Sequence, residues 1–153
     1  MPDGGADPSA VYIWLADGDL LDACDGGSGA PVAPHVVEIS LHGQQLYGQP
    51  SSPVTPGTYT FSPSSVMVTN ATSLTYNQYS ITSSGTEWEY EQYAGGGSVT
   101  LQSLDAHAAS GSYTAGFDGG WVAYTASDFP DAGQLVGPLS GSFNAGFCKD
   151  WRP

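Results

Sequence analysis

Three carboxylates recur at every second residue in Glu87-Trp88-Glu89-Tyr90-Glu91. On an extended strand this alternation predicts that Glu87, Glu89 and Glu91 share one face, with neighbours about 6.5–7 Å apart. Two carboxyls at short range are the equipment of glycoside hydrolysis, one as nucleophile or base and the other as acid. The same pattern equally describes a charged solvent face that discourages edge-to-edge aggregation. A second acidic group lies in Asp17-Gly18-Asp19-Leu20-Leu21-Asp22-Ala23-Cys24-Asp25. Its hard oxygens suit Ca²⁺, which takes six to eight of them, and Asp17, Asp19, Asp22 and Asp25 are the candidate ligands. The spacing is not that of an EF-hand, and Asp and Gly are also ordinary turn residues. Apart from calcium, no cofactor is expected.

The histidines offer less. His35, Glu38 and His42 fall on one predicted strand, but His35 and His42 have opposite parity and face opposite sides. His107 lies in the predicted hairpin turn Asp105-Ala106-His107. No G-x-S-x-G elbow is present to position a serine nucleophile. The aromatic residues are more suggestive, with four Trp and nine Tyr. Exposed rings beside carboxylates and amides form a platform for a sugar, and the expected contacts are Tyr79, Tyr93, Trp121, Glu89 and Glu91. The competing use of the rings is as a core that replaces scarce aliphatic side chains.

The acidic strand resembles the E-x-D-x-E strand of the laminarinase-type jelly-roll glycosidases, with Glu89 at the Asp position. That resemblance implies Glu87 as nucleophile, Glu89 as its helper and Glu91 as acid.

The elements that must carry these residues are strands. Twenty-one Gly and eleven Pro punctuate the chain, and the segment from 64 to 84 is rich in Ser, Thr, Val and Tyr, which favour strands over helices. A period of two recurs in Gly97-Ser98-Val99-Thr100-Leu101-Gln102, where Val99 and Leu101 point one way and Thr100 and Gln102 the other. Strands are expected near 10–16, 35–42, 57–62, 66–69, 73–82, 86–94, 97–105, 109–117, 120–125 and 138–148. Loops are expected at 17–34, 48–56 and 126–137, the second being too rich in proline for a central strand. The octapeptide Ser110-Gly111-Ser112-Tyr113-Thr114-Ala115-Gly116-Phe117 returns as Ser140-Gly141-Ser142-Phe143-Asn144-Ala145-Gly146-Phe147. Two such strands in a shared sheet predict an aromatic layer on one side. The spacing of strands and turns is that of an all-β, antiparallel β-sandwich of eight to ten strands, with a jelly-roll-like or barrel-like closure as the alternative. Residues 1–9 read as a flexible leader and 10–150 as a single β domain.

Composition bounds the partners. Lys plus Arg is 2 against 15 Asp plus Glu, a formal charge of −13. Neutralising phosphates requires cations, and Lys149 and Arg152 are the only two, so no nucleic acid is expected. No run approaches the ~18–20 apolar residues of a membrane span, so no transmembrane segment is expected. The polar Gly/Pro/Asp start has no signal-peptide pattern and reads as a mature chain freed of its export signal. Cys24 and Cys148 lie near opposite ends. A disulfide between them is the simplest reading, although each could instead meet a neighbour's thiol. Closing a loop of ~125 residues would stabilise the fold by roughly 4–5 kcal/mol, and a disulfide favours an oxidising compartment.

The sequence of Pro56-Gly57-Thr58-Tyr59-Thr60, Gly97-Ser98-Val99-Thr100-Leu101, the two octapeptides and the late Cys148 resembles a group of uncharacterised bacterial secreted or lipoprotein β domains. The resemblance covers about residues 56–148. It implies a β-sandwich, a terminal disulfide and an extracellular or cell-envelope location, and it carries no catalytic motif. The expectation is therefore a secreted or envelope-associated module that binds or displays rather than catalyses, with a glycan or a protein as partner and carbohydrate first. The alternatives are a glycoside hydrolase acting through Glu87, Glu89 and Glu91, and an assembly subunit pairing through a sheet edge.

Overall fold

The structure is a computed structural model that describes residues 9–16, 35–43, 52–61, 72–82, 85–118, 122–124 and 137–146, with only the backbone for 79–90 and 122–124. Every described element is a strand: β1 (Ala10–Ala16), β2 (His35–His42), β3 (Gly57–Thr60), β4 (Ser73–Thr82), β5 (Gly85–Tyr93), β6 (Gly96–Leu104), β7 (Ala108–Gly116), β8 (Val122–Tyr124) and β9 (Leu139–Gly146). They form a five-stranded sheet, β1-β2-β4-β5-β8, and a four-stranded sheet, β3-β6-β7-β9. All pairings are antiparallel. The protein is an all-β antiparallel sandwich. The expected strand at 66–69 lies outside the described residues, as do Cys24, Cys148 and the four aspartates of the acidic loop.

Alternation along each strand decides which side faces the core. Val11 and Ile13 of β1, Ile39 and Leu41 of β2 and Leu74 of β4 are buried between the sheets. From the other sheet come Val99, Leu101, Ala109, Ala115 and Phe143, with Phe61 and Phe117 at strand ends. Aliphatic side chains thus line the five-stranded wall, while the four-stranded wall mixes rings with very small residues. Tyr59, Tyr76 and Tyr113 pack against this cluster. Each fully buried Leu, Ile or Phe contributes roughly 1.5–3 kcal/mol, so rings do replace part of the missing aliphatic core.

The two octapeptides pair with each other. Ser112 lies opposite Ser142, and Gly111 opposite Phe143 just as Tyr113 is opposite Gly141. The pair has a local two-fold relation in which each glycine faces the aromatic residue of the other copy. A Cβ on Gly111 would lie 2.8 Å from the Phe143 ring and 2.2 Å from the Thr100 carbonyl oxygen. The expected aromatic layer is present as Tyr113, Phe117 and Phe143, with Phe147 outside the described residues. Glycine leaves the space that the rings occupy.

Connections tie the sheets together. Ala94 donates its N–H to Leu74 in one sheet, and the next residue, Gly95, donates to Gly116 in the other. The chain crosses the edge of the sandwich there. Gly97 follows with φ of 122°, a conformation that L side chains rarely adopt. In the proline-rich loop before β3, the Tyr59 hydroxyl donates to the Thr55 carbonyl at 2.6 Å and accepts the Thr55 N–H at 3.0 Å. Buried Val54 anchors the same loop.

Candidate binding face

The outer side of the five-stranded sheet, away from the core, carries the concentration of chemical groups. Antiparallel register aligns Trp14 of β1 with Glu38 of β2, Glu38 with Thr75 of β4, and Thr75 with Tyr93 of β5. The next row on this side is Ala16, Val36, Asn77 and Glu91. With strands about 4.8 Å apart, Glu38 and Tyr93 stand roughly 10 Å apart at the backbone, and their long side chains converge over Thr75. Glu91 lies diagonally across β4 from Glu38.

These residues interact. Ser40 donates its hydroxyl to Glu38 Oε1 at 3.4 Å. Burial raises the Glu38 carboxyl above the usual range. The Ser40 bond opposes this, the Glu91 charge adds to it, and a hydrogen bond from Trp14 opposes it. Tyr93 is held in its phenol form far above its ordinary value, first by burial, then by donating a hydrogen bond to Glu91 and by the charges of Glu91 and Glu38. Glu38, Glu91, Tyr93 and Trp14 therefore act as one electrostatic unit.

Beneath them the sheet is closed off from solvent. Val36, Thr75 and Asn77 are 2%, 6% and 9% or less exposed, Asn77 itself being at 3%. Among the described residues, the side chains of Thr75 and Asn77 have no hydrogen-bond partner. Trp14, Glu38, Glu91 and Tyr93 are half-buried, and Tyr12 at the β1 edge is 48% exposed. The face thus combines a buried polar floor with half-open rings and carboxylates.

The expected sites are placed as follows. Glu91 and Tyr93 lie together on this face, as the alternation predicted. The regular alternation of Glu87, Glu89 and Glu91 does not hold. Pairing shifts from Gln78 with Tyr90 to Tyr79 with Trp88, leaving Glu89 without an opposite residue in the ladder. A one-residue bulge breaks the two-residue period between Glu87 and Glu91. The side chains of Glu87, Glu89 and Tyr79 lie outside the described residues, as does Trp121. The carboxylate that the fold does bring to Glu91 is Glu38, from a strand about fifty residues earlier.

Sequence reasoning passed over Trp14, Ser40, Thr75 and Asn77, and weighed Glu38 only beside the histidines. The available signal was a single carboxylate in the middle of His35-Val36-Val37-Glu38-Ile39-Ser40-Leu41-His42. The histidines separate as parity predicted. His35 stacks on Tyr76 with centroids 6.1 Å apart, whereas His42 meets Tyr12 edge-on at 5.8 Å. Among the described residues no three metal-ligating side chains cluster. Asp17, Asp19, Asp22 and Asp25 lie outside them.

No protein-family model, curated protein or solved structure matches the chain.

Proposed function

We propose that the chain is a secreted or envelope-associated binding module, non-catalytic, whose ligand is a glycan held on the outer face of the five-stranded sheet. The observation that carries this reading is the cross-strand row of Trp14, Glu38, Thr75 and Tyr93 with Glu91 beside it. Rings at the two ends of the row offer flat apolar faces to pyranose C–H groups. The carboxylates and the amide between them take hydroxyl hydrogens. The absence of any Lys or Arg among the described residues disfavours anionic ligands. The hydrolase alternative rests on a carboxylate pair, and the pair supported by geometry is Glu38 with Glu91 rather than Glu87 with Glu91.

A glycan array probed with the full chain tests this. Binding of at least one glycan class is expected, weakened tenfold or more by Trp14→Ala and by Tyr93→Ala, with thermal unfolding confirming that both variants fold. No bound glycan, or binding untouched by either change, would overturn the proposal. A hydrolysis assay on each bound glycan should give no product. Turnover abolished by Glu91→Gln would replace the binding reading with the enzymatic one.

A further inference from the structure

Resting on the glycan reading above, we infer that the preferred ligand is a sugar bearing a free amine, with its ammonium seated between Glu38 and Glu91 over Thr75 and Asn77. The arrangement of acceptors points there. An ammonium brings three donors and no acceptor. The face supplies two carboxylates from strands on either side of β4, and between them lie the Thr75 hydroxyl and the Asn77 amide oxygen. Those two side chains are at most 6% exposed and lack a hydrogen-bond partner among the described residues. A buried polar group left without a partner costs about 1–3 kcal/mol, so this floor favours an occupant that donates to it.

Charge makes the choice of amine over hydroxyl. Glu38 and Glu91 repel each other, and the described residues contain no Lys or Arg to neutralise them. A neutral sugar hydroxyl hydrogen-bonds to a carboxylate but leaves that repulsion in place. A ligand cation removes it, in a half-buried setting where solvent screens charges less than in bulk water. Trp14 and Tyr93 at the ends of the row favour a ring-shaped carrier of the ammonium over the flexible stem of a lysine. Because burial favours the protonated form of Glu38, binding of an ammonium draws Glu38 into its charged form and releases a proton.

The test is titration calorimetry of the full chain at pH 6 with four probes: a glucosamine trisaccharide, its fully N-acetylated form, a neutral β-glucan trisaccharide and a trilysine peptide. The free amine should bind at least tenfold tighter than the acetylated form. Glu38→Gln and Glu91→Gln should each reduce that preference to within about twofold, and the heat should depend on buffer ionisation, reporting proton release. If the acetylated or neutral sugar binds as well as the amine, the inference falls while the glycan reading stands. If none of the sugars binds, both fall. Tighter binding of trilysine would identify a basic peptide as the occupant and overturn the inference. Amine binding that survives both substitutions would assign it to the acidic surface at large and overturn it too.

Discussion

Asp105 shows how one side chain sets a turn. Its Oδ1 accepts the backbone N–H of His107 at 2.7 Å and of Ala108 at 3.0 Å, closing the hairpin between β6 and β7. Those bonds hold its carboxyl below the ordinary value, so its stabilising contribution is present above the unfolded pKa of about 3.9 and is lost as pH falls through the lower folded value. Asp105→Ala should therefore lower Tm at pH 7, and the gap to the unmodified chain should close at strongly acidic pH. An unchanged gap would show that the turn does not depend on the carboxylate. Glu38 behaves in the opposite sense. Its folded pKa is raised, chiefly by burial, so the native state holds the proton more tightly than the unfolded chain does. Stability then falls as pH rises from about 4.3, the unfolded value, through the raised folded one. Glu38→Gln should flatten that decline in urea-unfolding curves taken between pH 4 and 8. An equal slope in both proteins would contradict the burial argument. Both residues were visible in the sequence, but only Asp105 was legible, because its partners are two and three residues away. The partners of Glu38 come from β1 and β5, and spacing along the chain does not reveal them.

The paired octapeptides are the clearest test at the level of elements. Gly111 sits against the Thr100 backbone oxygen as well as the Phe143 ring, whereas a Cβ on Gly141 would meet only the Tyr113 ring at 3.0–3.1 Å. Backbone cannot step aside as a ring can, so Gly111→Ala should cost about 1–3 kcal/mol and Gly141→Ala distinctly less, by chemical denaturation. Equal costs would refute the asymmetry. In the facing wall, Ile39 is fully buried, and Ile39→Ala should cost about 2–5 kcal/mol. Strand positions were readable because turn residues and alternation are local: β1, β2 and β4 begin and end where the pattern predicted. The duplication was readable too, but the direct pairing of its copies was not. The bulge at Glu89 was hidden for a related reason, since a bulge is a mismatch between two strands and neither strand's own sequence displays it.

Across the whole molecule, charge is unevenly distributed. The four Glu lie on β2 and β5 of one sheet, while the outer side of the other sheet carries aligned hydroxyls such as Thr58, Thr100, Ser112 and Ser142. Thr58 and Thr100 are joined at 3.1 Å. A formal charge of −13 repels itself in the compact state, so raising NaCl from about 10 mM to 0.2 M, which shortens the screening length from ~30 Å to under 10 Å, should raise Tm. A Tm that falls or stays level would place the repulsion below the other salt effects. The sequence by itself determined the class of fold, its strands, the turn at Asp105 and the poverty in cations, all of which follow from local conformational preference and composition. Tertiary structure alone decided that Trp14, Glu38, Asn77, Glu91 and Tyr93 share one face. Which strands become neighbours depends on burying both walls of the core at once, and that pairing sets the register that gathers distant side chains into a site.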